Sequence, residues 1–429
     1  MARKMKDSGI EWIGEIPEGW EDSQLKYATR WKSEKGCPDA PVLSLYRDFG
    51  VVPKDSRNDN HNVTSLDTSN YKVVDIGDLV INKMKAWQGS MAVSDYRGIV
   101  SPAYHVCSIT SNKVNKRYLH HLLRNPAYLP EYARLSTGMR IGQWDLGFDD
   151  FKNIPFLIPP LDEQAKIADY LDNGCASLDV ILDKTRSSIE EYKKLKQAVI
   201  TQAVTKGVRG EREMKDSGNP WFGQIPTDWK LSRVGLHFSI ILGKMLCNAP
   251  LNDTYTLEPY YCAADVHFDG VADGERKKMW FSPVEKELYR VSVGDLLVVE
   301  GGAGAGGSAI VENQDSYTYI QNSIMIVRSK GNTDNRYLRY LLEFLVKQGY
   351  IDVVCNKATI PHFTKDKLSC VPFCLCPTGE QKEIADYLDA KCAEIDKLIA
   401  KKEQLVKELE NYKKSLIFEY VTGKKELRR

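Results

Sequence analysis

The chain has 429 residues, of which 42% are hydrophobic and 27% are charged, and its formal net charge is +1. This length favours two to four domains, and the composition is typical of a globular protein. The sequence lacks both an apolar run long enough to span a membrane and the apolar core of a signal peptide. We therefore expect a cytoplasmic protein with reduced cysteines; its near-neutral charge does not exclude nucleic acid as a partner, because local surfaces set the field.

The first recognisable element is a segment that occurs twice. "MKDSGIEWIGEIPEGW", from Met5 to Trp20, returns 209 residues later as "MKDSGNPWFGQIPTDW", from Met214 to Trp229, with ten of sixteen positions identical. We call this the opening segment. Its tryptophans are expected to lie in the core: Trp12, Trp20, Trp221 and Trp229.

A mixed α/β region follows each opening segment. Hydrophobic patterning predicts strands and one helix in each copy. The strand candidates are Tyr71 to Ile81, Gly98 to Ile109, Leu288 to Glu300 and Ser323 to Arg328, and the helix candidates begin at Asn115 and Asn335. His120 and His121 correspond to Arg339 and Tyr340 in the second copy, which favours helix surface over a metal site.

Each α/β region leads into a long helix, and the two helices are related by a shift of 217 residues. Seventeen of 43 aligned pairs are identical, starting from Glu163 and Glu380. Apolar residues at alternating three and four spacing predict a narrow seam. The seam candidates are Leu178, Ile181, Tyr192, Leu195 and Val199 in the first copy and Ile395, Leu398, Leu405, Leu409, Tyr412 and Leu416 in the second.

The first long helix contains Gly174, which is expected to break or loosen it and to leave a continuous run over 176–205. Such a run is roughly 45 Å long. A narrow seam needs a partner, and the other copy of the helix is the nearest candidate; the alternative is that each helix packs on its own domain. Near the second helix, Cys370, Cys374 and Cys376 fit no zinc spacing and favour a buried strand.

Two short motifs point to an enzyme, and their contexts argue against it. "GAGAGG", Gly302 to Gly307, matches a dinucleotide-binding fingerprint, but "SAIVE" after it predicts a strand and not the helix that would hold a phosphate. "NPAY", Asn125 to Tyr128, resembles the Asn-Pro-Pro-Tyr motif of amino-methyltransferases, yet it stands at a helix end, where Asn-Pro is an ordinary terminator. Neither motif is present in the other copy, and no P-loop occurs.

The order of these elements resembles the specificity (S) subunit of type I restriction-modification systems. The resemblance covers nearly the whole chain, although "CPTGEQ" stands where the family usually has a second "PPLxEQ". The segments that carry it, besides the two opening segments, are "FLIPPLDEQAKIADYLD", "AVTKG" and "FCLCPTGEQKEIADYLD".

The resemblance implies an α+β fold with two tandem target recognition domains joined by two long helices in an antiparallel, pseudo-twofold coiled coil. The implied boundaries are 1–161 and 208–377 for the recognition domains and 162–207 and 378–424 for the spacer helices. Each domain would read one half of a bipartite, asymmetric site in double-stranded DNA. The helices would set the gap and dock two methyltransferase (M) subunits, and restriction (R) subunits would join the full complex.

In that arrangement the chain is not an enzyme and carries no cofactor or metal of its own. S-adenosylmethionine, ATP and magnesium would belong to the partner subunits. A rod of roughly 45 Å would place the two half-sites roughly 13 base pairs apart. Two alternatives stay open from the residues: a self-contained DNA adenine methyltransferase, and a structural adaptor that binds proteins and not DNA.

Base readout needs donors and acceptors that reach the groove edges, next to phosphate contacts. Donor-rich segments with glycine-permitted backbone provide the candidates, together with the loop from Gly302 to Gly307. In the first domain they are Lys83, Lys85, Trp87, Gln88, Arg140 and Gln143, and in the second Gln321, Asn322, Asn356, Lys357, Thr359 and His362.

Overall fold

The computed structural model describes residues 3–427 except for 48, 57–63, 66, 139–143, 314–316 and 356–360. Its contacts divide the chain into two compact units. Unit 1 comprises Met1–Arg186 and Glu403–Arg429, and unit 2 comprises Ser187–Lys402. Each unit therefore combines one α/β region with the first part of its own long helix and the last part of the other copy's helix.

The strands are short, and some of them have a counterpart in the other unit. In unit 1 they are β1 Met5–Asp7, β2 Glu15–Pro17, β3 Glu21–Gln24, β4 Thr29–Lys32, β5 Leu43–Tyr46, β6 Gly50–Pro53, β7 Lys72–Val74, β8 Asp78–Asn82, β9 Met91–Val93, β10 Gly98–Val100, β11 Tyr104–Ile109, β12 Ser136–Thr137, β13 Asp145–Leu146 and β14 Pro155–Ile158. In unit 2 they are β15 Met214–Asp216, β16 Gln224–Pro226, β17 Lys230–Arg233, β18 Phe238–Leu242, β19 Thr256–Tyr261, β20 Val266–His267, β21 Gly270–Val271, β22 Lys277–Phe281, β23 Leu296–Val299, β24 Ser308–Ile310, β25 Tyr319–Ile320, β26 Ile324–Ser329 and β27 Pro372–Leu375.

Two helices are far longer than the rest. The α-helices are α1 Lys116–Leu123, α2 Leu129–Leu135, α3 Phe148–Phe151, α4 Leu161–Lys206, α5 Val234–His237, α6 Pro283–Tyr289, α7 Asn335–Lys347, α8 Tyr350–Val354, α9 Lys365–Ser369 and α10 Thr378–Val421. The 3₁₀ helices are Leu25–Tyr27, Lys54–Ser56, Lys83–Gln88, Pro126–Tyr128 and Ala263–Asp265.

Each unit is built on an antiparallel four-stranded sheet with the same topology. The strand order is β4-β11-β8-β9 in unit 1 and β18-β26-β23-β24 in unit 2. The additional strands differ: unit 1 adds the pairs β5-β6, β7-β10 and β12-β13, whereas unit 2 adds the three-stranded sheet β22-β19-β25 and the pair β20-β21. The two copies thus share a frame and differ in what is attached to it.

The chain enters and leaves each α/β region through one two-stranded ladder. β3 pairs with β14 in unit 1, and β17 pairs with β27 in unit 2. Beside these ladders the Leu25 amide donates to the Ile154 carbonyl at 3.1 Å, and the Val234 amide donates to the Val371 carbonyl at 3.0 Å. We call residues 25–154 module 1 and residues 234–371 module 2, since both ends of each stretch meet at one place.

Each opening segment is tied to the first turn of a long helix by the same three residues. In unit 1, Glu163 accepts from Trp20 Nε1 at 3.0 Å and from Arg3 Nη1 at 2.6 Å. In unit 2, Glu380 accepts from Trp229 Nε1 at 3.3 Å, and Arg212 pairs with it. Trp20 and Trp229 are fully buried as predicted, whereas Trp12 and Trp221 are only partly buried.

The side chain of the glutamine after each of these glutamates forms a hydrogen bond with a backbone carbonyl that precedes the helix. Gln164 Nε2 donates to the Pro159 carbonyl at 2.7 Å, and Gln381 Nε2 donates to the Cys376 carbonyl at 2.8 Å. Both glutamines are fully buried. The unusual "CPTGEQ" therefore retains the same local contact as "IPPLDEQ".

Along both long helices, buried or half-buried residues recur at alternating spacings of four and three. The covered positions are Leu171, Cys175, Leu178, Leu182, Thr185, Ile189, Tyr192, Lys196, Val199 and Ala203 in α4, and the residues 217 further on in α10, which are Leu388, Cys392, Ile395, Ile399, Lys402, Val406, Leu409, Lys413, Leu416 and Tyr420. This is a heptad pattern, as predicted. Part of the predicted seam was wrong, because Ile181, Leu195, Leu405 and Tyr412 are each more than 40% exposed.

Within each unit the two helical parts run antiparallel. In unit 1, Gly174 lies against Leu416, Asp179 pairs with Lys413 at 2.6 Å and Arg186 pairs with Glu410 at 2.6 Å, so numbers rise on α4 as they fall on α10. In unit 2, Lys196 pairs with Asp396, also at 2.6 Å. Asp179 and Lys413 correspond to Asp396 and Lys196 under the 217-residue shift, so each unit holds the same seam ion pair.

Gly174 does not break α4, which is continuous from Leu161 to Lys206. A Cβ atom at this position would lie 3.4 Å from Leu416 Cδ2, which is an ordinary van der Waals distance, so the packing of the two helices leaves room for a methyl group. The i to i+4 bonds on either side and the packed seam outweigh the roughly 1 kcal/mol that glycine costs in a helix. The expected interruption was therefore wrong.

Four other local predictions need correction. The strand candidates beginning at Tyr71 and Gly98 are each split in two, the first at Gly77 with φ of 87°, and the one beginning at Leu288 is reduced to β23, because Tyr289 ends α6. Cys374 and Cys376 are buried, but Cys370 is exposed at the end of α9.

The two histidines of α1 are not on the helix surface. His121 is 8% exposed, and its Nε2 lies 2.6 Å from Asp172 Oδ1 on α4. His120 is half-buried, and its Nε2 lies 2.9 Å from Arg124 Nη1. The prediction failed because α1 packs His121 against α4 and His120 against β9, where the Val93 amide donates to His120 Nδ1 at 3.3 Å.

The continuous helix at Gly174 leads to a stability prediction. Gly174→Ala should raise the free energy of unfolding by about 0.5–1 kcal/mol, because alanine is the better helix former and the end of the Leu416 side chain can yield slightly. Thermal unfolding followed by circular dichroism measures the change. The reverse replacement at the equivalent position of α10, Lys391→Gly, should lower stability by a similar amount; a destabilised Gly174→Ala would contradict the close but tolerant packing.

Candidate nucleic-acid interface

The strongest sequence candidates of both copies lie on the same connection of the four-stranded sheet. In unit 1 the 3₁₀ helix Lys83–Gln88 joins β8 to β9, and Gly89 closes it with φ of 82°. In unit 2 the loop from Gly302 to Gly307 joins β23 to β24. The frame thus presents two chemically unlike loops at one position: one carries two lysines, the other mostly glycine.

The unit 1 loop packs against Trp144 and Asp145, which directly follow the candidate Gln143. Lys83 Nζ pairs with Asp145 Oδ2 at 2.8 Å, and the Trp87 ring lies 5.3 Å from the Trp144 ring in an edge-to-face arrangement. Lys85 is exposed and has no ion pair with a residue that the structure describes. Lys83 and Trp87 therefore fix the loop, while the Lys85 side chain is exposed to solvent.

A buried cation lies beneath this loop. Lys72 is 8% exposed; its Nζ donates to the Tyr104 carbonyl at 2.6 Å and lies 5.1 Å from the centre of the Trp31 ring. Burial lowers the pKa of this lysine, and the nearby Lys83 charge lowers it further. Trp31 is 38% exposed, so an aromatic face backed by a cation is open to solvent here.

His105 adds a neutral polar group to the same place. Its Nε2 lies 3.1 Å from the Leu146 carbonyl, and burial lowers the pKa of the imidazole. Trp87 Nε1, His105 Nδ1 and Asp145 Oδ1 are buried and have no hydrogen-bond partner among the described residues. Buried polar atoms of this kind are uncommon and are available to a ligand that reaches them.

In unit 2 three candidate stretches converge on Glu300 and Gly301. The Glu300 amide donates to the Ser323 carbonyl at 2.8 Å, and the Glu300 carbonyl accepts from the Phe363 amide at 2.6 Å. Gly301 forms a β-bridge with His362, whose side chain is exposed. Gln321 Oε1 accepts from Ser323 Oγ at 2.6 Å, and the Asn322 amide donates to the Lys244 carbonyl at 2.8 Å.

The remaining candidates cannot be placed. Arg140 and Gln143 in module 1 and Asn356, Lys357 and Thr359 in module 2 lie outside the described residues. Their described neighbours do lie at the two loops: Trp144 and Asp145 contact the loop of unit 1, and His362 contacts that of unit 2.

The two enzyme-like motifs adopt structures that suit other roles. The loop from Gly302 to Gly307 is a turn between antiparallel strands; Gly306, with φ of 82°, sits where a Cβ would come within 2.9 Å of Val346 and Ile351. It therefore lacks the helix N-terminus on which a cofactor phosphate would rest. Tyr128 of "NPAY" is fully buried and Asn125 caps the turn Pro126–Tyr128, so neither side chain could meet a substrate base.

Sequence inspection missed the residues that support the loops. Trp31, Lys72, His105 and Asp145 come from four separate stretches, and Ser323 and Glu300 from two more; no spacing rule links them. Trp144 and Ser323 did have a signal, since Trp144 directly follows the candidate Gln143 and Ser323 directly follows the candidate Asn322.

Two classes of site are not found in the described part of the chain. Within residues 3–427, apart from the gaps stated above, no group of three or more His, Cys, Asp or Glu side chains is arranged to hold a metal ion. Over the same residues, no helix has both the length and the apolar composition required to cross a bilayer.

Comparison with known proteins relates the whole chain to one family. Residues 17–191 and 226–410 match the type I restriction modification DNA specificity domain. A Methanocaldococcus jannaschii protein named as a candidate MjaX specificity subunit of a type I restriction enzyme is 26% identical, over 96% of this chain and 95% of that protein. The MjaVIII specificity subunit from the same organism is also 26% identical, over 64% of this chain and 63% of its own length.

Solved structures share the fold. A chain from a structure described as the basis of complex assembly and conformational transition of the type I R-M system superposes with a TM-score of 0.70, at 17% identity, covering 95% of this chain and 99% of that one. The HsdS subunit from Thermoanaerobacter tengcongensis gives 0.52, also at 17% identity, covering 95% of this chain and 98% of that one. With two matched domains that span most of its length, this chain belongs to the type I restriction modification DNA specificity domain family.

Proposed function

We propose that this chain is the DNA sequence-recognition subunit of a type I restriction-modification complex, in which modules 1 and 2 each read one half of a bipartite, asymmetric site. The observation that carries the proposal is a contrast. Contacts of the frame recur in both units, whereas the loops at the equivalent sheet position differ in charge and shape. Two copies of one frame that carry different loops can each recognise a different DNA sequence.

The recurrence extends to the contacts between each module and its long helix. Arg117 pairs with Asp169 and Asp172, and Arg336 pairs with Asp386 and Asp389. These groups stand at equivalent places in the two copies and keep the helix after the sheet, α1 or α7, on the long helix. A frame that is held this way tolerates variation in the loops without loss of its own contacts.

The loop chemistry supports two different modes of DNA contact. In unit 1, Lys85 offers a phosphate contact and Gln88 a groove-edge donor and acceptor, with Lys83 and Trp87 holding the loop in place. In unit 2 the exposed tip at Ala303 and Gly304 has no bulky side chain, so backbone groups can approach DNA closely, with Gln321, Asn322 and His362 beside it. We also assign Arg140, Gln143, Asn356, Lys357 and Thr359 to this role from sequence.

We assign two further roles to the long helices: they set the gap between half-sites, and they dock two methyltransferase subunits. The continuous helices α4 and α10 support the first role, because an α-helix has a fixed rise per residue. The repeated frame supports the second, since two equivalent surfaces fit two copies of one partner. S-adenosylmethionine chemistry, and ATP and magnesium for restriction subunits, then reside in the partners, and this chain is not catalytic.

Exchange of one module tests the proposal. Replacing residues 25–154 by the corresponding stretch of another family member should change one half of the methylated motif and leave the other half and the gap unchanged, because both ends of the module meet at the β3-β14 ladder. Genome-wide mapping of methylated adenines measures this. The control exchange, residues 234–371, should change the other half alone; a methylation map that does not depend on this gene would favour the adaptor alternative.

Removal of one free charge tests the unit 1 loop. Lys85→Ala should weaken DNA binding by the complex with methyltransferase subunits equally for all sequences, and should lower the slope of log Kobs against log salt by about 0.9, as expected for one lost phosphate contact. The matched control is Lys166→Ala, an exposed lysine on α4 that pairs with Asp162 at 3.5 Å. An unchanged slope for Lys85→Ala would remove this lysine from the interface.

A paired deletion tests the role of the helices in spacing. Removing residues 184–190 and 402–408 takes one heptad from each helix and keeps the seam in register. The helices shorten by about 10 Å, so the gap in the methylated motif should shrink by about three base pairs while both half-site sequences stay the same. Altered half-sites with an unchanged gap would contradict the proposed spacer.

A further inference from the structure

Module 2 carries two large apolar side chains at the edge of the sheet where its candidate DNA-contacting loops lie. β18 and β23 both pair antiparallel with β26, so the ends of β18 and β23 and the start of β26 meet at one edge. The loop from Gly302 to Gly307 follows β23, and Gln321 and Asn322 precede β26. Met245 and Leu246 follow β18 and therefore belong to the same edge, where they are 75% and 51% exposed. We call these two residues the apolar pair.

Hydrogen bonds on both sides hold the apolar pair in place. On one side, the Lys244 amide donates to the Ile320 carbonyl at 3.1 Å, and the Lys244 carbonyl accepts from the Asn322 amide at 2.8 Å. On the other side, the Cys247 carbonyl accepts from the Trp280 amide at 3.1 Å. The apolar pair is thus a short, fixed protrusion, so little conformational entropy is lost when it binds a ligand.

The cation next to the apolar pair is occupied within module 2. Lys244 Nζ pairs with Glu285 at 2.6 Å, donates to the Trp280 carbonyl at 2.8 Å and lies 5.3 Å from the centre of the Phe281 ring. Lys244 therefore adds no free positive charge to this edge, and the apolar pair itself offers only apolar contact. Phosphates are bound by cations and hydrogen-bond donors, so the apolar pair is suited to base edges instead.

Unit 1 has smaller residues at this place. Strand pairing relates β4 to β18 with a shift of 209 residues, the same shift that relates the opening segments. Gly36 and Cys37 therefore stand in unit 1 where Met245 and Leu246 stand in unit 2. The apolar pair is an addition to the shared frame, as expected for a group that distinguishes one half-site from the other.

The amide group beside the apolar pair indicates which base pair complements it. Asn322 is bonded through its backbone to the residue before Met245, and its side chain is half-buried. In the major groove, adenine offers N6 and N7 to a side-chain amide, and its partner thymine offers a 5-methyl group to an apolar side chain. A G·C pair offers no methyl group there. An amide next to two apolar side chains therefore matches A·T pairs.

We propose that Met245 and Leu246 are specificity-determining residues of module 2, and that they contact thymine 5-methyl groups in the major groove of its half-site. This inference rests on the proposed function. It requires that the half-site contain at least one A·T pair whose methyl group contributes to binding. Burial of one methyl group against the apolar pair should strengthen binding about fourfold.

Replacement of thymine by deoxyuridine tests this contact, because it removes the methyl group and keeps the base pair. The complex with methyltransferase subunits should bind a duplex of the methylated motif about fourfold more weakly when deoxyuridine replaces one thymine in the half that exchange of residues 234–371 changes. In the variant with Met245→Gln and Leu246→Asn, which are replacements of similar size, the two duplexes should bind equally. The matched control, Leu236→Gln, alters a residue that is 68% exposed just before β18, at the opposite edge of the sheet, and should retain the difference.

Failure of this inference and failure of the proposed function give different results. A complex that binds every DNA sequence equally would overturn the proposed function and the inference with it. Sequence-specific binding with equal affinities for thymine and deoxyuridine throughout that half would overturn the inference alone, and this comparison uses the unaltered chain, so it does not depend on the folding of a variant. A difference that persists in the double variant would also overturn the inference. If the double variant keeps the difference but binds methyltransferase subunits more weakly, the apolar pair contacts protein and not DNA.

Discussion

The antiparallel heptad seam is the constraint on which the rest of this structure depends. Each unit takes the beginning of one long helix and the end of the other, so neither sequence copy contains all the residues of one unit. A narrow apolar seam is stable only when a partner covers it. The half-buried lysines Lys196 and Lys413, each held by an aspartate of the facing helix, favour one register, because a shifted register would leave an ammonium group without its carboxylate.

The seam explains why the opening segment must occur twice. Trp20 and Trp229 are each locked by the first glutamate of a long helix, and that helix end also meets the last turns of the other helix. Tyr118 of α1 donates to the Val421 carbonyl at 3.0 Å, so the C-terminal end of α10 is bonded into the core of unit 1. The contacts that hold the frame of each unit together thus do not involve residues at the tip of a module. This separation of support from surface allows the loops to differ so widely.

Elements that occur in both copies were predicted well from the sequence, and features that occur in one copy alone were predicted poorly. Identity between the copies identified the opening segments, the glutamate and glutamine of each helix start, and the heptad helices, because these residues make the frame contacts. The prediction failed where one tertiary contact decided the outcome: Gly174 is kept helical by its packing against Leu416, and His121 is drawn inward by Asp172. At the loops, Lys83 and Trp87 were found from composition, but their contacts with Asp145 and Trp144 could be found only from the structure, since the chain separates the partners by some 60 residues.

The near-neutral net charge is compatible with a DNA-binding role because charge is distributed unevenly over the frame. Several charged residues of the long helices pair across the seam or within one helix, which neutralises their contribution to the long-range field. Module 1 has Lys85, which forms no ion pair with the residues that the structure describes, and a cation beneath Trp31, whereas the exposed tip of module 2 is glycine and alanine. The two modules therefore offer DNA different balances of phosphate attraction and close approach. Such a difference suits an asymmetric site, because two identical readers related by a twofold axis would select a palindrome.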